Sequence, residues 1–310
     1  MGMFHQNQWA LILGGSSGFG LATAKKLAAE GMGIVIAHRD RRGSMPVIQE
    51  QFDQIKAHGH PLITLNVDAL SDAGQSKVIE AIQAELPTGA SIHMMLHSIA
   101  FGNLKPIAPV VPKQHAALEQ LADKLNLDQK KLEDTISEVF AKDVPEVFSL
   151  LEPTYSEALI GDEDMTGTIY SMGTSLLTWT QKCHQAGLFS KDARVIALTS
   201  EGNKVAWRGY AAVSAAKVAL ESVSRSIAVE FAPYGIRSNI IQAGVTDTKA
   251  LRAIPGSDRM KAVSRLKNPF NRLTTPEDVA NVISLLCLPE ADWINGTIIR
   301  ADGGEEISSF

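Results

Sequence analysis

Eight residues, Leu13-Gly14-Gly15-Ser16-Ser17-Gly18-Phe19-Gly20, carry the first chemistry legible in this chain. Gly14, Gly18 and Gly20 have the spacing G-x-x-x-G-x-G. Glycines spaced in this way let a chain turn sharply, approach a pyrophosphate without a Cβ in the way, and pack a helix onto a strand. A helix starting there offers unpaired N–H groups to phosphates, with Ser16, Ser17 and Phe19 alongside the glycines. A second clue is Ala37-His38-Arg39-Asp40-Arg41-Arg42. An NAD site places an acidic residue near this point to accept ribose hydroxyls. Here His38 takes that place and Arg39 follows, and a guanidinium there can pair with a 2′-phosphate. The expected cofactor is therefore NADPH rather than NADH. Arg41 and Arg42 add to the positive field, while Asp40 opposes it. Asp68 is expected on the adenine side.

These residues need a scaffold. Trp-Ala-Leu-Ile-Leu at 9–13 reads as a buried parallel strand running into the glycines. A helix is expected from Gly18 to Glu30, with Leu21, Ala24, Leu27 and Ala28 on one face and Gly31 and Gly33 closing it. Further strands are expected at 34–37, 62–67, 92–98, 195–199, 236–242 and 297–300, with helical periodicity between them. Strands alternating with helices imply an α/β fold, a doubly wound parallel sheet of Rossmann type. One segment breaks the rhythm. Residues 104–166 read as a helical insertion after the fourth strand, within a single nucleotide-binding domain spanning 1–310. Leu118, Leu121 and Leu125 keep helical spacing, as do Leu132, Ile136, Val139 and Phe140. Pro106, Pro109, Pro112, Pro145 and Pro153 punctuate it. A helix follows around 171–185. An insertion at the end of the fourth strand lies where doubly wound sheets bind ligands, so it is expected to cap the substrate pocket or to build an oligomer contact.

With the glycine motif, Arg272-Leu273-Thr274-Thr275-Pro276-Glu277-Asp278 and the terminal Asp302-Gly303-Gly304, the chain resembles the short-chain dehydrogenase/reductase superfamily over residues 8–103 and 167–306. Most of that superfamily carries Tyr-x-x-x-Lys. Here Lys217 is in place, but Val213 stands four before it and Tyr210 seven before it. Tyr-x6-Lys is similar to the enoyl-acyl-carrier-protein reductase branch, as is His97-Ser98-Ile99-Ala100-Phe101 in the fourth strand. Seven residues are close to two helical turns, so Tyr210 and Lys217 share a face. The resemblance implies hydride transfer from nicotinamide to the β-carbon of a 2-enoyl thioester, with Tyr210 donating to the thioester oxygen. It implies that Lys217 clamps the nicotinamide ribose. Thr199 stands where ordinary members place their catalytic serine. Ser200 stands where the best-known enoyl reductases have a second tyrosine. His97, Ser98 and Ile99 are expected along the cofactor wall, with His97 structural. Gly244, Val245, Thr246 and Thr248 are expected around the nicotinamide amide and phosphates, and Phe101, Ser200, Trp207 and Tyr210 on the substrate side.

The formal net charge of −5 argues against nucleic acid as the main partner. No apolar run approaches a membrane span. Met1–Gln8 lacks the layout of a secretion signal, which makes the cytoplasm the default. Cys183 and Cys287 offer neither a disulfide framework nor metal-ligand spacing, so reduced thiols and no metal are expected. Residues 249–272 hold Lys249, Arg252, Arg259, Lys261, Arg265, Lys267 and Arg272. A basic rim of this kind could attract a phosphopantetheine, a coenzyme A or an acidic acyl carrier protein. The family resemblance implies a homo-oligomer, tetramer or dimer. Two other readings stand beside the enoyl-thioester reductase: a carbonyl or 3-oxoacyl reductase of the same superfamily, and a catalytically silent NADP-binding sensor or scaffold.

Overall fold

The computed structural model describes residues 3–111, 116–142, 144–150 and 153–309. Seven strands form one parallel sheet: β1 (Gln8–Leu13), β2 (Gly33–His38), β3 (Leu62–Asn66), β4 (Ser91–His97), β5 (Phe189–Thr199), β6 (Arg237–Ala243) and β7 (Ile298–Ala301). Their order is β3-β2-β1-β4-β5-β6-β7. The chain therefore winds outward one way from β1 to β3, then returns to β4 and winds the other way. That reversal opens a crevice beyond the C-terminal ends of β1 and β4. The central strands are apolar on both faces because helices cover both. Trp9, Leu11 and Leu13 point into one layer, and Ala10 and Ile12 into the other.

The helices are α1 (Gly18–Ala29), α2 (Met45–Lys56), α3 (Asp72–Glu85), α4 (Ala116–Leu125), α5 (Gln129–Ala141), α6 (Asp162–Ile169), α7 (Ser175–Gln185), α8 (Ala211–Glu230), α9 (Lys249–Arg252), α10 (Ser257–Lys267) and α11 (Pro276–Leu286). α1 buries Ala24, Leu27 and Ala28 as expected, with Leu21 partly buried beside them. Among the described residues no helix is long and apolar enough to cross a membrane. Cys183 and Cys287 are free and buried.

The irregular middle differs from its expected form in two ways. First, only part of the predicted leucine face is buried. Leu118 packs with Ala122, Leu132 and Ile136, while Leu121 and Leu125 face outward. The buried pair on α4 is Leu118 and Ala122, one turn apart, so the stripe is narrower than the leucines suggested. Second, the two ends of the segment are tied to each other inside its expected bounds. Ile160 N donates to Pro106 O at 3.0 Å, and Lys105 pairs with Asp164 at 2.7 Å. α6 already lies against α8 and continues through a π-helical turn, Tyr170–Thr174, into α7. Pro112 lies outside the described residues.

Candidate active site

A cleft of about 580 Å³ opens at the strand reversal. The turn after β1 forms its floor. Gly14 has φ +89°, and a Cβ there would lie 2.5 Å from the Ser98 carbonyl oxygen. Only glycine lets the β1 turn and the end of β4 approach so closely. Ser98 N donates to Leu13 O, which ties the two strand ends together. Ser16, Ser17, Gly18 and Phe19 line the cleft, whereas Gly20 packs beneath Gly14. Ser17 precedes α1 with an extended backbone and its side chain makes no cap bond. The first-turn N–H groups of α1 are thus left to a ligand.

At the end of β2 the His38 ring is buried, with Nδ1 3.0 Å from Asp40 Oδ2 and its ring edge-on to Phe52. It lines the cleft together with Arg39, the more exposed of the two. Arg39 donates to Asp68 at 2.8 Å and lies 4.5 Å over the Phe101 ring. Phe101, 57% exposed, lies under that guanidinium and lines the same cleft as Trp207.

The opposite wall is built on α8. Tyr210 stands at its N-cap and Lys217 on its second turn, both buried and both lining the cleft. Trp207 meets Tyr210 edge-on at 5.5 Å, and a Cβ at Gly202 would lie 2.5 Å from Tyr210 Cε1. The ring is thereby held between the 201–203 loop and the Trp207 edge. Burial pushes the Tyr210 phenol up, opposed by the neighbouring Ser200 hydroxyl. Ser200 Oγ is itself buried, beside that phenol. Lys217 Nζ donates to Leu198 O at 2.8 Å. Burial lowers its pKa to about 8, and the Glu221 carboxylate one turn on opposes that fall. Glu221 also accepts from Thr199 Oγ1 at 2.5 Å and from Asn203 Nδ2 at 2.6 Å. The Thr199 hydroxyl proton is thus committed to Glu221 rather than to the cleft.

His97 is buried, and Nε2 lies 2.7 Å from Ser175 Oγ. Ser175 donates its proton to Ser171 O, which leaves its oxygen to accept from the ring. Burial, reinforced by the Lys217 charge, lowers the His97 pKa to about 3, so the imidazole is neutral. The π-helical turn carries Ser171, which bonds to the Phe101 carbonyl, and Met172, which lines the cleft. π-turns of this kind recur at functional sites. On the third wall stand Gly244, Val245, Thr246 and Thr248, with Ile99 facing them from the end of β4. Thr246 is buried, and Thr248 caps α9 through Leu251 N.

Two family models match the chain. The model described as short chain dehydrogenase covers residues 8–122. The model described as Enoyl-(Acyl carrier protein) reductase covers residues 157–306. The chain belongs to the short-chain dehydrogenase/reductase superfamily. Within that superfamily it is 28% identical to a Tropinone reductase homolog of Arabidopsis thaliana, over 60% of this chain and 70% of the other. It is 24% identical to a protein named probable 2,4-dienoyl-CoA reductase in Bacillus subtilis (strain 168), over 97% of each. Its fold matches the Enoyl-[acyl-carrier-protein] reductase (NADH) of Aquifex aeolicus VF5 with a TM-score of 0.70, at 20% identity and 98% coverage of both chains.

Sequence reasoning about this dehydrogenase/reductase site missed two carboxylates. Glu221 was legible as the residue four after Lys217, hence on the same face. Glu305 is buried in the cleft wall, where it accepts from Val245 N at 3.2 Å and is pushed up by burial. It follows Asp302-Gly303-Gly304 and carried no local signal. The basic rim is also less available than its sequence suggested. Arg252 pairs with Asp247, Lys261 with Asp258, Lys267 with Glu201 and Arg272 with Asp278.

Proposed function

We propose that this chain is an NADPH-dependent reductase acting on the 2,3 double bond of an enoyl thioester. The observation that carries the reading is the pairing of Tyr210 and Lys217 on one buried face of α8, with Val213 in the place four before the lysine. Among the described residues Tyr210 is the one tyrosine lining the cleft. The cradle fits a dinucleotide. The Gly14 turn admits a diphosphate, the α1 N-terminus faces it, and Arg39 offers a guanidinium beside Asp68 for a ribose phosphate. When bound, the reduced nicotinamide supplies hydride to C3 of the substrate. Tyr210, kept protonated by burial, donates to the thioester oxygen as negative charge gathers there. Lys217 adds positive potential from the ribose side, and the neutral His97 holds the wall without exchanging a proton. Gly244, Val245, Thr246 and Thr248 bound the nicotinamide end, with Ser200 beside Tyr210 on the substrate side.

The Thr199 contact favours this reading over carbonyl reduction. A carbonyl reductase of this superfamily uses a serine in that position as a second donor, and here the hydroxyl is given to Glu221. The test is a pair of substrates, crotonyl and acetoacetyl thioesters, each with NADPH and NADH. Turnover of the crotonyl thioester with an NADPH preference is expected. Turnover of the acetoacetyl thioester alone would reject the enoyl assignment, and no turnover of either would favour a silent binding protein. The proposed setting is the cytoplasm, as a homo-oligomer, with a coenzyme A or acyl-carrier-protein thioester as partner.

A further inference from the structure

A side chamber of about 430 Å³ adjoins the main cleft. The two share Glu201, Trp207, Val245, Ile254 and Met260, so the chamber opens beside the catalytic pair. One wall comes from α10 and the turn before it: Ile254, Met260 and Val263. The facing wall is Phe148, Pro153 and Tyr155. Those three residues lie in 123–156, between the two stretches that the family models match. One wall of the chamber is thus built by a segment outside the family pattern.

Three contacts seat that segment on the body. The Arg259 guanidinium lies 5.7 Å from the Phe148 ring centre, and Arg208 lies 5.8 Å from that of Tyr155. Gly256, at φ +77°, lets Pro153 come so near that a Cβ there would lie 2.9 Å from the proline Cβ. Val205, Trp207, Val245 and Pro255 complete a mostly apolar lining, and several of its polar groups are engaged. Lys267 pairs with Glu201, Ser264 bonds to Glu305, and both arginines lie on aromatic faces. A pantetheine arm placed here would lose the hydrogen bonds of its amides to water and gain few in return. An apolar group would lose nothing.

We propose that the side chamber houses the acyl part of the substrate, and that Phe148, Pro153 and Tyr155 set its size, favouring apolar acyl groups longer or bulkier than four carbons. This rests on the enoyl-thioester reading above, and the two are tested separately. Reduction of crotonyl-, octenoyl- and dodecenoyl-CoA by NADPH is measured for the wild type, Val263→Trp, which intrudes from α10, and Phe148→Ala, which removes the opposite wall. One methylene in an apolar pocket is worth about tenfold or more. The ratio of kcat/KM for dodecenoyl- to crotonyl-CoA is therefore expected to exceed one in the wild type and to fall at least about tenfold in each variant. The affinities of dodecanoyl- and butanoyl-CoA, measured without turnover, should diverge in the same sense. NADPH affinity and the thermal midpoint report whether each variant is folded. A ratio unchanged in both variants overturns the chamber proposal. A wild type that reduces none of the three, yet loses dodecanoyl-CoA affinity on Val263→Trp, overturns the reaction assignment and leaves the chamber standing.

Discussion

Replacing Glu221 by glutamine should move the alkaline limb of the activity profile to lower pH. Lys217 is fully buried, and burial has already brought its pKa down to about 8. A profile that follows the protonated lysine should then lose about tenfold in kcat/KM between pH 7 and 9. The Glu221 carboxylate opposes the fall, because a negative charge one turn away favours the ammonium. Side chains four apart on a helix lie about 6 Å from each other. Unit charges at that distance interact by roughly 3 kcal/mol at an effective dielectric constant near 20. That corresponds to roughly two pH units, an upper bound if water enters the variant. Glutamine keeps the Oε1 acceptor that Thr199 and Asn203 use, so the wall should stay in place. The assay is kcat/KM for crotonyl-CoA from initial rates between pH 6 and 9.5. The Glu221→Gln midpoint should fall by about one to two units, with rates at pH 6 within about twofold of wild type. A midpoint that stays put, or moves upward, would refute the electrostatic argument.

Two further outcomes follow from the same site. Gly14→Ala puts a Cβ 2.5 Å from Ser98 O in a left-handed backbone that costs an L-residue about 1–2 kcal/mol. Fluorescence titration should show NADPH affinity reduced at least about tenfold with the far-ultraviolet spectrum retained, and unaltered affinity would mean the turn does not seat the dinucleotide. His97 has a pKa near 3 when folded, against an ordinary value of 6.5. As pH falls below 6.5 the unfolded chain takes up a proton that the folded chain refuses, so stability is lost toward acid. Between pH 7.5 and 5 this amounts to about 2 kcal/mol, read by urea unfolding, and His97→Gln should flatten that slope. Parallel slopes for the two proteins would show that another group is responsible.

Much of the scaffold was legible because apolar strands flanked by glycine leave a strong pattern. β1, β2, β3, β4 and β6 fall within a residue or two of their expected bounds. β5 begins at Phe189, six residues before its expected start, because Lys191 and Asp192 are exposed and interrupt the apolar run. α6, which starts inside the stretch expected as a helical insertion, opens on Asp162-Glu163-Asp164, an acidic first turn of the kind that starts helices. On the site, spacing along α8 located Tyr210 and Lys217, since a helix converts sequence distance into a shared face. What spacing does not give is which way a side chain turns. His38 turns to Asp40, Phe101 lies under Arg39, and the Thr199 hydroxyl goes to Glu221. Glu221 and Glu305 were overlooked because a carboxylate reads as a solvated face unless its partners are known.

Tyr210 is the proposed donor to the thioester oxygen, and Tyr210→Phe probes that role with the smallest possible change. The variant keeps the ring held by Trp207 and Gly202 and removes only the hydroxyl. The measurement is single-turnover reduction of crotonyl-CoA by enzyme-bound NADPH, alongside NADPH affinity. The rate should fall by about 10²-fold or more while the affinity stays within about twofold. A Tyr210→Phe rate within about threefold of wild type would contradict the assignment, because a donor worth so little cannot be stabilising the charge.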